Sequence, residues 1–185
     1  MVISSLITKP SFFFLESISI GNHPFASAHL DRDPNSHIKG VLLRRLETAM
    51  DIRLFHEADE PAVTALWTAV FGYTAAHNQP AKAIRCKLAC QRELFFVACI
   101  DDQIVGTVMG GYDGHRGWVY SLAVSPHARR RGIGTALVRH VERALRERGC
   151  PKINLQVLGT NLETVAFYEK LGYTVEERVS MAKIL

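Results

Sequence analysis

Long apolar runs are missing from this chain. None approaches the ~18 consecutive apolar residues that a membrane-spanning helix needs, so no membrane partner is expected. Ala26-Ser27-Ala28 resembles a signal-peptidase site, but the stretch before it carries Pro10, Glu16 and Pro24, and its longest apolar run is only residues 12–15. That is too short for a secretory signal, and a cytoplasmic location is expected. The four cysteines, Cys86, Cys90, Cys99 and Cys150, include no C-x-x-C pair, and no histidine cluster stands at ligand spacing around them. A metal site is therefore not expected, and the thiols read as buried and free in a reduced compartment. Strong charge is absent too. With 22 basic and 18 acidic residues the formal charge is +4, which gives no ground for a nucleic-acid partner. No internal repeat or low-complexity tract is present.

What remains is the composition of a globular protein: 48% apolar and 22% charged residues in a chain of 185. That length suits one domain, able to bury roughly 70% of its unfolded surface. The first 49 residues scatter Ser, Asn, His and Pro between short apolar pieces without a sustained period. They read as a poorly ordered extension, with a short amphipathic helix at 38–48 and Met50 as the candidate natural start. An ordered N-terminus-to-C-terminus pattern occupies residues 50–185.

In that part, 52–55 reads as a strand. Asp59 or Glu60 starts a helix with Pro61 at its first position, and Val63, Leu66, Trp67 and Val70 share one face. A second helix is expected at 80–92. Strands follow at 94–100 and 104–112, joined by a tight turn at Asp101-Asp102-Gln103, and another at 118–124 after the Asp113-Gly114 connection. Ile133, Leu137, Val141, Ala144 and Leu145 form the apolar stripe of a long helix, ended by Gly149 and Pro151. A strand at 152–158, a helix at 161–171 and strand-like segments at 173–179 and 180–185 complete the pattern. The order β-α-α-β-β-β-α-β-α-β predicts an α/β (α+β) sandwich with a mixed sheet.

The chemistry lies in Arg129-Arg130-Arg131-Gly132-Ile133-Gly134-Thr135, directly between the strand at 118–124 and the long helix. Helix N-termini present free N–H groups and a partial positive charge, which suits an anion. Gly132 and Gly134 let a diphosphate approach the backbone. The arginines add full charges and bidentate donors. A G-x-G alone is as often a packing device, and adjacent arginines are usually a solvated turn; the combination with strand and helix favours a phosphate cradle. It is neither of the common nucleotide motifs. The dinucleotide fingerprint needs a third glycine where Leu137 stands, and the Walker pattern needs Gly-Lys-Ser/Thr.

Arg129-x-x-Gly132-x-Gly134 resembles the R/Q-x-x-G-x-G/A signature of the GCN5-related N-acetyltransferase (GNAT) superfamily. Asn161-x-x-Thr164-x-x-Phe167-Tyr168-Glu169-Lys170-Leu171-Gly172-Tyr173 resembles that family's late helix. More narrowly, Val105 to Gly117 and Arg148 to Ile153 are similar to the bacterial YpeA-type acetyltransferases. The resemblance begins near Met50. It implies a mostly antiparallel mixed sheet with helices on both faces, acetyl-CoA as co-substrate, and an amine acceptor. It also implies site roles. The backbone of Leu122, Ala123 and Val124 would pair with the pantetheine arm, that of Arg130, Arg131, Gly132, Ile133, Gly134 and Thr135 would hold the diphosphate, and Asn161 would contact the cofactor.

Attack of an amine on a thioester builds negative charge on the carbonyl oxygen, and the N–H of Val124 is the candidate donor to it. Tyr168 occupies the family's general-acid position. Where related bacterial enzymes that acetylate ribosomal-protein N-termini carry a basic Glu, this chain has Gln156, which cannot take a proton. Asp113, His115 and Glu93 are the other candidate bases, with Asp113-Gly114 read first as turn chemistry. Acetylation of a small-molecule or peptide amine is the leading expectation. A protein N-terminal or lysine acetylase and a non-catalytic acetyl-CoA-binding module are the alternatives. A monomer or homodimer is expected.

Overall fold

A computed structural model of the chain describes residues 50–72 and 79–183. The expected extension at 1–49, with its helix at 38–48, lies outside the described residues. The elements run β1 (Asp51–Leu54), α1 (Glu60–Phe71), α2 (Pro80–Gln91), β2 (Phe95–Ile100), β3 (Gln103–Tyr112), β4 (Gly117–Val124), α3 (Ile133–Glu147), β5 (Ile153–Asn154) and α4 (Leu162–Glu169). They form one five-stranded sheet in the order β1-β2-β3-β4-β5. The first three pairings are antiparallel and the last is parallel. The mixed, mostly antiparallel sheet is the expected one.

Two cores lie on opposite faces. Val63, Leu66, Trp67 and Phe71 of α1 and Ile84 of α2 pack with Phe55, Phe95, Val97, Met109 and Ala123. Phe95 stacks on Phe55 with ring centroids 4.3 Å apart. On the other face, Ile133, Leu137, Val141 and Leu145 of α3 pack with Phe96, Val108 and Val119. The α3 stripe is the predicted one, with Val138 buried beside it. Each such aliphatic side chain contributes about 1.5–3 kcal/mol on burial. The helix comes so close that a Cβ at position 110 would lie 2.6 Å from Val141 Cγ2, so Gly110 is needed for the contact.

Polar contacts fix the ends of the elements. Asp59 receives two hydrogen bonds from Arg53 at 2.7 and 2.9 Å and one from the His56 amide at 2.8 Å. These hold its carboxyl below the usual range, the Arg53 bond being the main cause. Gln91, at the end of α2, donates to the Tyr112 carbonyl at 2.6 Å and accepts from the Tyr112 amide at 3.0 Å. Its amide thus completes the ladder at the end of β3 as a neighbouring strand would.

Four expectations are corrected. The strand expected at 152–158 pairs only over Ile153–Asn154. No strand forms among residues 173–183, where Val175, Val179 and Met181 stay exposed; the apolar alternation there finds no neighbouring strand to pair with. The last helix is Leu162–Glu169, shorter than 161–171: Asn161 caps its start, its Oδ1 accepting from the Thr164 amide at 3.2 Å, and at its end the Leu171 and Gly172 amides turn back to Tyr168 and Glu169. The cysteines are all free, but only Cys99 is buried; Cys86 and Cys90 are exposed.

Candidate functional site

β4 and β5 meet at one end only. Gly117 pairs with Ile153 and Trp118 with Asn154. Beyond that, residues 119–124 of β4 face no strand on this side among the described residues, and the sheet opens into a wedge. The Ser125 amide donates to the Val105 carbonyl at 2.8 Å. Hydrogen-bonding directions alternate along a strand, so Val124, one residue earlier, turns its own N–H and C=O toward the open edge. Leu122 shares that direction. Ala123, opposite Thr107, has its backbone groups turned toward β3 instead. Of the three residues expected to pair with a pantetheine arm, the structure exposes the backbone of Leu122 and Val124.

The strand is not regular. Thr107 pairs with Ala123 and Met109 with Tyr120, so β4 uses one residue more than β3 over this stretch. Ser121 takes up the extra residue in a left-handed conformation, φ +52°. The bulge changes which residues share a face. Tyr120 and Ala123, three apart, both lie on the α1/α2 side, while Val119 and Leu122 lie on the α3 side. Thr107 Oγ1 donates to the Ser121 carbonyl at 3.1 Å and accepts from the Trp67 indole at 2.7 Å. Strict alternation of apolar and polar residues gives no sign of this bulge.

The wedge leads to the start of α3. Gly132 is the N-cap, at φ +77°, and Arg130 before it is also left-handed, φ +63°. The first amide to return to a backbone carbonyl is that of Ala136, bonded to Gly132 O at 3.0 Å. The amides of residues 130–135 therefore have no backbone acceptor among the described residues, which fits an anion at this end. The two glycines differ in what they do. A Cβ at 132 would meet nothing within 4 Å, so glycine is there for its φ. A Cβ at 134 would meet Phe167 at 3.4 Å, an ordinary contact, so α4 packs over this turn without itself requiring glycine there.

The arginines divide. Arg129 Nε lies 3.4 Å from the Val124 carbonyl. Arg130 forms an exposed ion pair with Glu163 of α4 at 2.7 Å. Arg131 is exposed. Asn161 uses its Oδ1 in the capping bond to the Thr164 amide. Tyr168 is buried, its ring edge-on to Phe167 and Tyr173 with centroids 5.0 and 5.4 Å away. Burial pushes its phenol well above the ordinary value, so it stays protonated at neutral pH. Gln156 donates to Ser180 Oγ at 2.7 Å. Asp113 accepts from the amides of His115 and Arg116 at 2.8 and 2.6 Å, which is turn chemistry. Glu93 lies 3.8 Å from Arg148.

Three groups on the α1/α2 face are not among the expected site residues. Lys87 of α2 is 5% exposed. Its Nζ donates to the Gly110 carbonyl and lies 5.6 Å from the Tyr120 ring centre. Tyr120 Oη also donates to Gly110 O, at 3.3 Å. Asn154 stands opposite Trp118, and its Oδ1 is enclosed without a hydrogen-bond partner. Lys87 stands at helical spacing from Pro80 and Ile84, on the buried stripe of α2, whereas Lys82 and Arg85 lie off it and are exposed.

Comparisons with known proteins agree with this geometry. Residues 56–173 match the acetyltransferase (GNAT) family. An acetyltransferase of Pectobacterium atrosepticum is 43% identical over 136 residues, 74% of this chain and 96% of that protein. The crystal structure of Ard1 from Thermoplasma volcanium superposes with a TM-score of 0.62 at 26% identity, covering 69% of this chain and 84% of that one. An aminoglycoside N-acetyltransferase, AAC(6′)-Iy in complex with CoA, superposes with a TM-score of 0.61 at 19% identity, covering 74% and 95%; at that identity the likeness is one of fold. The chain belongs to the GNAT acetyltransferase family. It is an acyltransferase, with acetyl-CoA as the acetyl donor. Among the described residues no helix is long and apolar enough to cross a membrane.

Proposed function

We propose that the part of the chain from Met50 onward transfers the acetyl group of acetyl-CoA directly to a primary amine of a small molecule or peptide. The observation that carries this reading is the wedge: an unpaired β4 edge that runs straight into unused amides at the start of α3. Such an edge accepts an amide-bearing arm as an added strand, and the helix start accepts linked phosphates. The bound co-substrate supplies an acetyl thioester.

The residues of this chain then divide the work. Leu122 and Val124 hold the arm through their outward backbone groups. The amides of Arg130, Arg131, Gly132, Ile133, Gly134 and Thr135 hold the diphosphate, with Arg129 and Arg131 adding charge around it. The Val124 N–H points to the open edge and stabilises negative charge on the thioester oxygen; a fixed donor of this kind is worth on the order of 10²–10³ in rate. Tyr168, kept protonated by burial, donates a proton to the departing thiolate. Asn161 supports the arrangement by fixing the start of α4. Thr107 holds the bulge that sets the direction of the Leu122 and Val124 backbone.

Position 156 carries an amide engaged with Ser180, so it supplies no base. This favours a small amine or peptide over the ribosomal-protein acceptors of related enzymes. The test is an acceptor screen that follows CoA release with amino acids, polyamines, aminoglycosides and short peptides. Release that depends on an added amine supports the reading. Tight CoA binding with no turnover on the whole panel would leave a binding module in its place.

A further inference from the structure

On the acetyl-transfer reading, the wedge would bring the thioester to the bulge at Ser121, between the two faces of the sheet. On one face α3 packs and α4 lies against its first turn. The other face is bounded by α1 and α2, and there Trp118, Tyr120 and Asn154 line β4 and β5 beside the bulge. On the acetyl-transfer reading, an acceptor amine would approach from this side, the face not covered by α3.

The charge along α2 is one-sided. From Gly72 to Arg92 the sequence holds Lys82, Arg85, Lys87 and Arg92 and no acidic residue. Residues 117–124 and 151–161 contain none either. Lys87 is the cation turned inward. Lysine is almost never this buried without a partner charge, yet Lys87 forms no ion pair among the described residues. The nearby Glu93 carboxylate is engaged with Arg148. An ammonium has three N–H donors, and among the described residues Lys87 uses one, on Gly110 O. The same carbonyl takes the Tyr120 hydroxyl, so both of its lone pairs are occupied. Two donors and a full charge are left over beside Tyr120, which is only partly buried and borders the bulge. Burial lowers the Lys87 ammonium to about 8, so at pH 7 it is still mainly charged.

We propose that Lys87 is a specificity-determining residue of the acceptor cleft and that it pairs with a carboxylate on the amine substrate. The inference rests on the acetyl-transfer reading above and narrows its acceptor to amines that carry an acid group. The carboxylate completes the unfilled donors of the ammonium, Tyr120 walls the site, and the substrate amine is turned toward the thioester. Polycationic acceptors meet repulsion from Lys87 and find no carboxylate on these segments.

The experiment uses the full chain and matched acceptors: amino acids and short peptides, each beside its carboxamide, followed by CoA release. The expected result is a kcat/KM at least about tenfold higher for the acid than for the amide, a ratio that falls to near one in Lys87→Met and is partly kept in Lys87→Arg. Calorimetric titration with CoA checks that each variant is folded. Turnover with equal rates for acid and amide, or a preference that Lys87→Met retains, overturns the inference and leaves acetyl transfer standing. Failure of every amine to react removes the transfer reading. The carboxylate site is then read separately, by melting the CoA-saturated protein with each N-acetylated acid or its amide. Protection by the acid alone, lost in Lys87→Met, supports it, and equal protection overturns it.

Discussion

Thr107 Oγ1 accepts a hydrogen bond from the indole N–H of Trp67 at 2.7 Å and donates its own to the carbonyl of Ser121 at 3.1 Å. Trp67 is in α1, Thr107 in the middle of β3, and Ser121 at the left-handed bulge of β4. All three are buried. The relay ties the acceptor-side helix to the residue that redirects the β4 backbone. Thr107→Val keeps the shape and removes both bonds. It is expected to cost about 1–3 kcal/mol, because the indole N–H and the Ser121 carbonyl are left buried without partners. The loss should appear in urea unfolding, with kcat falling more than the affinity for CoA. Unchanged stability and turnover would show that the bulge holds itself.

The two glycines of the α3 start predict different sensitivities. Gly132→Ala forces a side chain into a left-handed N-cap, which costs about 1 kcal/mol or more, and the KM for acetyl-CoA should rise several-fold or more. Gly134→Ala meets only the edge of Phe167 at 3.4 Å, and its KM should stay close to that of the parent. Steady-state kinetics on both variants checks this; equal effects would count against the conformational reading of Gly132.

Tyr168→Phe removes the phenolic proton and leaves the packing on Phe167 and Tyr173. If Tyr168 is the proton donor, kcat falls on the order of 10² or more, while CoA binding by calorimetry is nearly unaltered. Full activity would remove Tyr168 from the mechanism and leave it a core aromatic.

Lys87 makes a stability prediction with a definite sign. Desolvation is the main cause of its lowered value, with Arg148 adding to it and Glu93 and Cys90 opposing; Tyr120 lies against it. Between about 8 and the ordinary lysine value of ~10.4, the unfolded chain holds more protons at this position than the folded one. The stability of the parent therefore rises through that window. Lys87→Met should be the more stable protein at pH 7, and its advantage should shrink as the pH approaches 10. Urea midpoints from pH 7 to 10 test this, and a constant difference would contradict it.

Much of the fold was legible because its signals are local. The α3 stripe of Ile133, Leu137, Val141 and Leu145 repeats at helical spacing, and Pro61 and Gly149 mark helix ends where the structure has them. Over the described residues 173–183 the expected strands do not form, because an alternating pattern such as Val175, Val179 and Met181 makes a strand only beside a partner. The bulge was hidden because serine at 121 carries no mark of a positive φ. Position 134 also faces Phe167, a contact between residues 33 apart in sequence that no local motif shows. The spacing of Lys87 from Pro80 and Ile84 puts it on the inward stripe of α2, but what encloses its ammonium, Gly110 of β3 and Tyr120 of β4, is distant in sequence.

The direct test of the central claim is a calorimetric titration of the protein with CoA and, separately, with pantetheine, which has the arm but lacks the diphosphate. If β4 holds the arm and the α3 amides hold the phosphates, CoA binds at one site per chain and pantetheine at least about tenfold more weakly. No heat with CoA, or equal affinity for the two, would contradict the account.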